Sequence, residues 1–341
     1  MKKTVPVDEA VGMVLPHDIT EIVKDKFKGR AFKKGHVIRA EDIEHLKSLG
    51  KENIYVLKLG PNEIHENEAA QILATALSGP GSMLSSEPVE GKIAILAARD
   101  GLLKINEEAL YQFNLLGEVM CATLQTNTPV KKGDDIAATR LIPLVSKRAT
   151  VLEAATIATN SSPIIEVKAL RNARVSLIIT GDEVFYGRIE DKFEKVLRGK
   201  LEQLGSEVIS VTFAPDDIDT IAEAIINAIG AGADLIITSG GMSVDPDDVT
   251  RMGIEKAGGT DCYYGTPILP GAMFLSGRIG DIPVLGLPAC GMFHNITVFD
   301  LILPRILTEE RIGREEFARM GHGGLCRNCK RCQYPVCSFG K

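Results

Sequence analysis

Residues 234–250 read DLIITSGGMSVDPDDVT, and this stretch decides the fold. Leu235-Ile236-Ile237-Thr238 is a short, unbroken apolar run rich in β-branched side chains, the signature of a strand buried on both faces. It ends on Ser239-Gly240-Gly241, where the chain must turn sharply, and runs into a cluster of acids. Working outward, residues 175–180 (VSLIIT) form a second run of the same kind. Phe193, Val196, Leu197, Leu201 and Leu204 then fall on one helical stripe that Gly205 stops. Val208 to Phe213 is the next strand. Asp216 or Asp217 is placed to cap a helix whose Ile218, Ile221, Ala222, Ile225 and Ile229 share a face. Val284 to Leu287 gives a further strand, and a long helix is expected from near Met292 to Leu307. Strands alternating with helices imply right-handed crossovers and a parallel sheet covered on both sides. The prediction for residues 172–312 is therefore a three-layer α/β domain.

Residues 1–60 read as an α+β segment, with a turn into a strand at Phe32 to Ile38, a helix over Glu41 to Leu49 and a strand at Ile54 to Leu57. Residues 61–171 read as a mixed helix and β-rich module, with helices over Glu63 to Leu77 and Glu107 to Leu116. Strands are expected there at Ile93 to Ala97 and Ile136 to Leu144. Residues 313–341 form a short cysteine-rich tail.

Composition narrows the partners. With 39 basic against 45 acidic residues the formal charge is −6, and no basic block stands out. Trp is absent and aromatics are only 5%, so neither an electrostatic footprint nor a stacking platform for nucleic acid is present. No apolar run reaches the roughly 18 residues of a membrane span. A cytoplasmic protein without nucleic-acid or membrane partner is expected.

In an open parallel sheet, ligands bind beyond the carboxyl ends of the strands. Three loops leave strands at that edge: Thr180-Gly181-Asp182-Glu183, then Ser239 through Thr250, then Gly286 through Gly291. Gly240 and Gly241 lack Cβ atoms that would keep a phosphate away from the backbone. Pro246 suits the first turn of a following helix, whose start favours an anion. Asp245, Asp247 and Asp248 place negative charge in the same spot and would repel a phosphate or molybdate, so a bridging Mg2+ is the natural resolution. Asp182 and Glu183 are positioned to complete that site.

The pattern TGDEVFYGRI, a helix ending in LG, and then DLIITSGGMSVDPDDVT resembles the molybdopterin-binding domain of molybdenum-cofactor biosynthesis. That domain is shared by molybdopterin adenylyltransferases, molybdenumtransferases, gephyrin and competence-damage-inducible proteins. The similarity covers about 140 of the 341 residues, and FKKGHVIRAEDIEHLKSLG at 32–50 more loosely resembles the outer domains of molybdenumtransferases. The resemblance implies molybdopterin as cofactor or substrate, with Gly240, Gly241 and Ser243 lining the pterin phosphate. Asp182 and Asp248 would be the catalytic acids, acting on Mg2+, ATP or molybdate. Thr180, Gly181, Glu183, Ser239, Asp245 and Pro288 would complete the cofactor-binding set. It also implies self-association, as in the relatives of this domain. Three departures stand out. Glu190-Asp191-Lys192 replaces the family's Asp-Ser/Thr-Asn, and Pro270-Gly271-Ala272-Met273 lacks the lysine of Pro-Gly-Lys-Pro. Pro288-Ala289-Cys290-Gly291 replaces Pro-Gly-Asn-Pro. Losing the lysine removes a cation for an oxyanion, which affects transfer chemistry more than binding. Nothing after residue 310 matches the C-terminal β-barrel of the molybdenumtransferases.

Cys326-x2-Cys329-x2-Cys332-x4-Cys337 places four thiols within twelve residues. In a chain with no evident secretion signal such a cluster reads as metal ligation before disulfides. The spacing is close to ferredoxin-type runs, although a zinc site of four thiolates would use the same residues. His322 is near enough to substitute for one ligand. Arg327, Lys330 and Arg331 between the cysteines either offset thiolate charge or guide docking to an acidic partner such as a molybdoenzyme. Cys290 reads as a small packed side chain, and His294 as an ordinary helix residue. Three functions remain open from sequence: an Mg-dependent transferase acting on molybdopterin, a non-catalytic cofactor carrier or sensor, and a nucleotide-pyrophosphate hydrolase.

Overall fold

The computed structural model describes residues 2–23, 27–57, 59–160, 163–242 and 248–340. They divide into two compact units, one formed mainly by residues up to 167 and the other mainly by residues 168–341.

In the first unit, Lys2–Pro6 pairs antiparallel with Asn53–Leu57, and the helix Asp42–Ser48 lies between them in sequence. A four-stranded antiparallel sheet runs in the order Ser82–Leu84, Lys92–Ala97, Asp135–Leu141, Val119–Thr123. The helices Glu66–Leu77, Glu107–Leu115 and Arg148–Asn160 contribute Leu73, Leu77, Phe113, Val151 and Ala154 to its core. Several expectations shift. Glu63–His65 is a strand before the helix, and Val37 forms only an isolated bridge with Val14. The helix Arg148–Asn160 has no counterpart in the sequence reading. It buries only Val151, Ala154 and Ala158, so two of its three buried contacts are alanines that leave a faint apolar stripe. Glu66, only 3% exposed, sits 3.3 Å from Arg140, and burial raises its carboxyl above the ordinary range.

In the second unit a six-stranded sheet has the order Glu207–Ala214, Arg174–Thr180, Leu235–Ser239, Ile282–Leu287, Leu275–Ile279, Thr260–Tyr264. The first four strands are parallel, and Leu275–Ile279 is antiparallel to both of its neighbours. The sheet is therefore mixed, which corrects the expectation of a purely parallel one. The cause is a hairpin: Ile279 pairs with Ile282 across Gly280-Asp281, and Gly280 takes φ +57, as a two-residue turn requires. These edge strands, LSGRI and TDCYY, are short and part polar, so they lack the continuous apolar run that marks the central strands.

Alternation along the central strands builds two cores. Val175, Leu177, Ile179, Leu235, Ile237, Leu285 and Leu287 face the helices Phe193–Gln203 and Val298–Leu307. Ile178, Ile236 and Val284 face the helices Ile218–Gly230 and Thr250–Lys256. The three-layer architecture follows from this double burial. The last long helix starts at Val298, later than periodicity suggested. Thr297 and Asp300 close a capping box there, and residues Ala289–Met292 form a separate short 3-10 turn.

Ile237 is 1% exposed at the centre of the sheet. Ile237→Ala should cost about 2–5 kcal/mol, read as a lower denaturation midpoint in urea with an unchanged slope. A cost below about 1 kcal/mol would show that this face is not close-packed.

Candidate functional site

Four parallel strands present their carboxyl ends on one rim of the second unit. Thr180, the last residue of its strand, is 4% exposed, and its hydroxyl donates to the Ser239 carbonyl at 3.1 Å. It lies 2.8 Å from the Thr250 hydroxyl, which is left to donate to it. This ties the ends of two neighbouring strands to the start of the Thr250–Lys256 helix. Gly240 and Gly241 are what make the approach feasible. A Cβ on Gly240 would collide with the Thr180 carbonyl oxygen, and one on Gly241 with the Thr250 hydroxyl. Both also adopt left-handed φ, +92 and +55. The space their missing Cβ atoms leave is thus filled by protein, a packing role the sequence reading had not given them. The helix begins at Thr250, and Pro246 lies outside the described residues. With seven residues and no side-chain cap, that helix offers only a short-range field.

The acidic residues converge on a position that sequence reasoning had treated only as a helix cap. Asp217 does cap, accepting from Thr220 N at 2.8 Å. Asp216 turns the other way, into the rim. Its Oδ2 accepts from Asp182 N at 3.0 Å, and its own N–H donates to Asp182 Oδ1 at 3.2 Å. This reciprocal pair joins the loops leaving two adjacent strands. The remaining Asp216 oxygen, Oδ1, is buried with no hydrogen-bond partner. Burial raises the Asp216 carboxyl above the usual carboxylate range. The Asp182 N–H opposes that rise, and the negative charges of Asp182, Glu183 and Asp248 add to it. Asp182, Glu183 and Asp248 therefore all act on one side chain. The consecutive acids Asp216-Asp217 at a strand end were the available signal, but one cap explained both in sequence.

The other expected residues sort as follows. Gly181 sits at φ +136 between Thr180 and the short helix Asp182–Phe185. Ser239 is 1% exposed, and its hydroxyl oxygen is buried without a partner beside the Thr180 contact. Pro288 follows the Ile282–Leu287 strand on the same rim. Ser243 and Asp245 lie outside the described residues. Asp191 accepts from Phe193 N and Glu194 N at 2.9 Å each, so this departure from the family pattern serves as a cap. In the loop that lacks the lysine, Gly271 packs against Val298, and Ala272 O accepts from Thr266 N at 2.8 Å. Arg251 stacks over the Tyr264 ring at 4.3 Å.

The four cysteines are not gathered as single-ion ligands. Among the described residues no three His, Cys, Asp or Glu side chains stand close enough to hold a metal ion, which applies to the acidic rim as well. Cys326 and Cys337 are half-buried against the core, while Cys329 and Cys332 are exposed. His294 precedes the Val298–Leu307 helix instead of lying within it.

Among the described residues no helix is long and apolar enough to cross a membrane. Because burial and like charge raise the Asp216 carboxyl, its native state favours the protonated form. That contribution to stability is present below the unfolded carboxylate range and lost as pH rises through the native value. Asp216→Asn keeps the contact with Asp182 N and removes the charge. After the discount that solvent screening imposes on a half-exposed group, it should raise stability at pH 7 by no more than about 0.5 kcal/mol, and the gain should vanish near pH 3. A thermal melt of parent and variant across that range is the check, and a pH-independent difference would refute the assignment.

A family described as "Probable molybdopterin binding domain" matches residues 176–308, and a domain of unknown function matches residues 4–58. The chain is 25% identical to the molybdopterin molybdenumtransferase of Haemophilus influenzae over 307 residues, 88% of this chain and 71% of that protein. It is 41% identical to a CinA-like protein of Frankia casuarinae over 86 residues, 25% of this chain and 20% of that one. Against the CinA-like relatives from Geobacter and Amoebophilus asiaticus it spans only 23% and 28% of their length. The solved Mog protein of molybdopterin biosynthesis from Mycobacterium ulcerans aligns at TM-score 0.34 and 23% identity, covering 39% of this chain and 94% of that one. Residues 176–308 of this chain are thus similar to a molybdopterin-binding family.

Proposed function

We propose that the rim formed by Thr180, Gly181, Asp182, Asp216, Ser239 and Asp248 binds molybdopterin through its phosphate and acts in building or handling the molybdenum cofactor. The observation that carries this reading is the convergence of Asp182, Glu183 and Asp248 on the half-buried Asp216, at the strand ends where open α/β sheets hold ligands.

The donors are of the kind a hard divalent cation takes, although among the described residues no three of them stand close enough to hold one in this structure. All the facing groups are carboxylates, and Asp216 Oδ1 is buried without a partner of its own. Asp182, Asp216 and Asp248 are the residues that would hold Mg2+. When bound, the cation supplies the positive charge that lets a phosphate approach these acids. The chain's own groups do the rest. The Thr180 hydroxyl fixes the Ser239 and Thr250 loops against each other, and the reciprocal Asp182–Asp216 pair fixes the third loop. The buried Ser239 hydroxyl is an unspent hydrogen-bonding group for the ligand.

A second reading, a carrier or sensor that delivers the pterin without turnover, is favoured by Ala272 where transferases of the family have lysine. An oxyanion such as molybdate then lacks a cation from that loop. Both readings predict that the full chain retains molybdopterin in anaerobic equilibrium dialysis with Mg2+. Asp182→Ala together with Asp248→Ala should weaken the Mg2+-dependent part of that retention about 10–100-fold. Turnover with ATP or molybdate that these substitutions abolish identifies a transferase, and retention without turnover identifies a carrier. Failure to retain pterin with or without Mg2+, or hydrolysis of ADP-ribose-type compounds in its place, would sink the proposal.

A further inference from the structure

The cysteine-rich segment contributes nothing to the pterin rim, yet it is built onto the same unit with care. Cys326 N donates to Leu269 O and Leu269 N to Gly324 O, both at 2.8 Å, making a short parallel bridge. At the other end, Gly340 N donates to Gly323 O at 3.0 Å, and Phe339, 4% exposed, enters the large core. The loop 324–339 is thus pinned at both ends. Between those ends it contains no helix and no strand. Loops of this length without internal structure are uncommon in compact domains unless something else organises them.

What the loop surrounds is informative. Cys326, Cys329, Cys332 and Cys337 all line one half-open cavity of about 380 Å3, whose lining also includes Phe293, His294, Ile296 and Tyr334. The six cysteines whose side chains are described carry no disulfide. Asn328, inside the first Cys-x2-Cys, takes φ +49, a left-handed turn that an asparagine tolerates better than most residues. Four thiols facing a partly apolar cavity, in a loop with little other support, need an occupant.

We infer that this cavity is the site of an iron–sulfur cluster ligated by Cys326, Cys329, Cys332 and Cys337. The Cys-x2-Cys-x2-Cys run has the spacing of ferredoxin-type ligands, and the second ligand pair across a zinc-finger loop is missing from this stretch. In a four-iron cluster each thiolate binds a different iron, so the sulfurs stay apart around a larger body. The four cysteines line one cavity of about 380 Å3, which leaves room for a body larger than a single ion. Its apolar wall shields the cluster, and Arg327, Lys330 and Arg331, all exposed on the same loop, offset the negative charge of four thiolates. His294 joins the wall from the segment that precedes the Val298–Leu307 helix, whereas spacing alone points to His322. This site is independent of the pterin reading and stands or falls without it.

The test uses the full chain purified without oxygen, reconstituted with ferrous iron and sulfide, and compared with a sample loaded with zinc alone. About four iron and four sulfide per chain are expected, with visible charge-transfer absorption and a paramagnetic signal after one-electron reduction. Cys329→Ser with Cys332→Ser should lower bound iron at least about tenfold. Both side chains are exposed, so the far-ultraviolet circular dichroism and the melting temperature of the apo variant should stay at the apo parent's values. Cys262→Ser, outside the cavity, should keep the full load. Stoichiometric zinc without sulfide, no metal at all, or an unchanged iron content in the double variant would each overturn the inference.

Discussion

The hydroxyl of Thr180 holds the second unit's rim together. It donates to Ser239 O and meets the Thr250 hydroxyl, so two adjacent strand ends and a helix start are locked into one surface. That lock demands glycine at both 240 and 241, since any side chain there would occupy the space of Thr180 or Thr250. Asp182 and Asp216 are joined by their own reciprocal hydrogen bonds, and Asp248 acts on Asp216 from the loop that precedes Thr250. Packing comes first here, and the acidic chemistry is mounted on it.

The rim is held with an unspent electrostatic cost. Asp216 is a half-buried carboxyl with one unpartnered oxygen, and burial together with the charges of Asp182, Glu183 and Asp248 disfavours its ionised form. The double-faced core beneath the loops supplies the rigidity. Val175, Leu177 and Ile179 pack to one side of the sheet and Ile178 to the other, so the strand ends have little freedom to relax away from one another. A separate case occurs in the first unit. There the buried Glu66 has Arg140 as its partner, so its charge is answered by the protein itself.

The molecule combines a rim made of carboxylates with a loop made of thiols. Hard oxygen donors and soft sulfur donors prefer different metals, so the two proposals made for them are chemically independent. The loop at 266–273 separates this chain from the transferases it resembles. Its backbone is fully engaged by Thr266, Gly271 and Val298, yet it presents alanine where a cation is expected. The scaffold of that loop survives without its charged group.

Sequence by itself determined the central strands, because runs such as VSLIIT and LIIT can be buried only on both faces, and the helices between them, because their apolar stripes repeat with a helical period. It also determined that glycines and acids follow those strands. Tertiary structure decided the rest. The antiparallel edge was hidden because Leu275–Ile279 and Thr260–Tyr264 draw their partners from neighbours, not from an apolar pattern of their own. Asp216 was hidden because its role depends on a strand that is adjacent in space and distant in sequence, while a local cap explained its neighbour. The four cysteines were legible as a group from spacing. That they face one cavity with His294, in place of the nearer His322, follows only from where the core anchors Phe339 and Leu269 anchors Cys326.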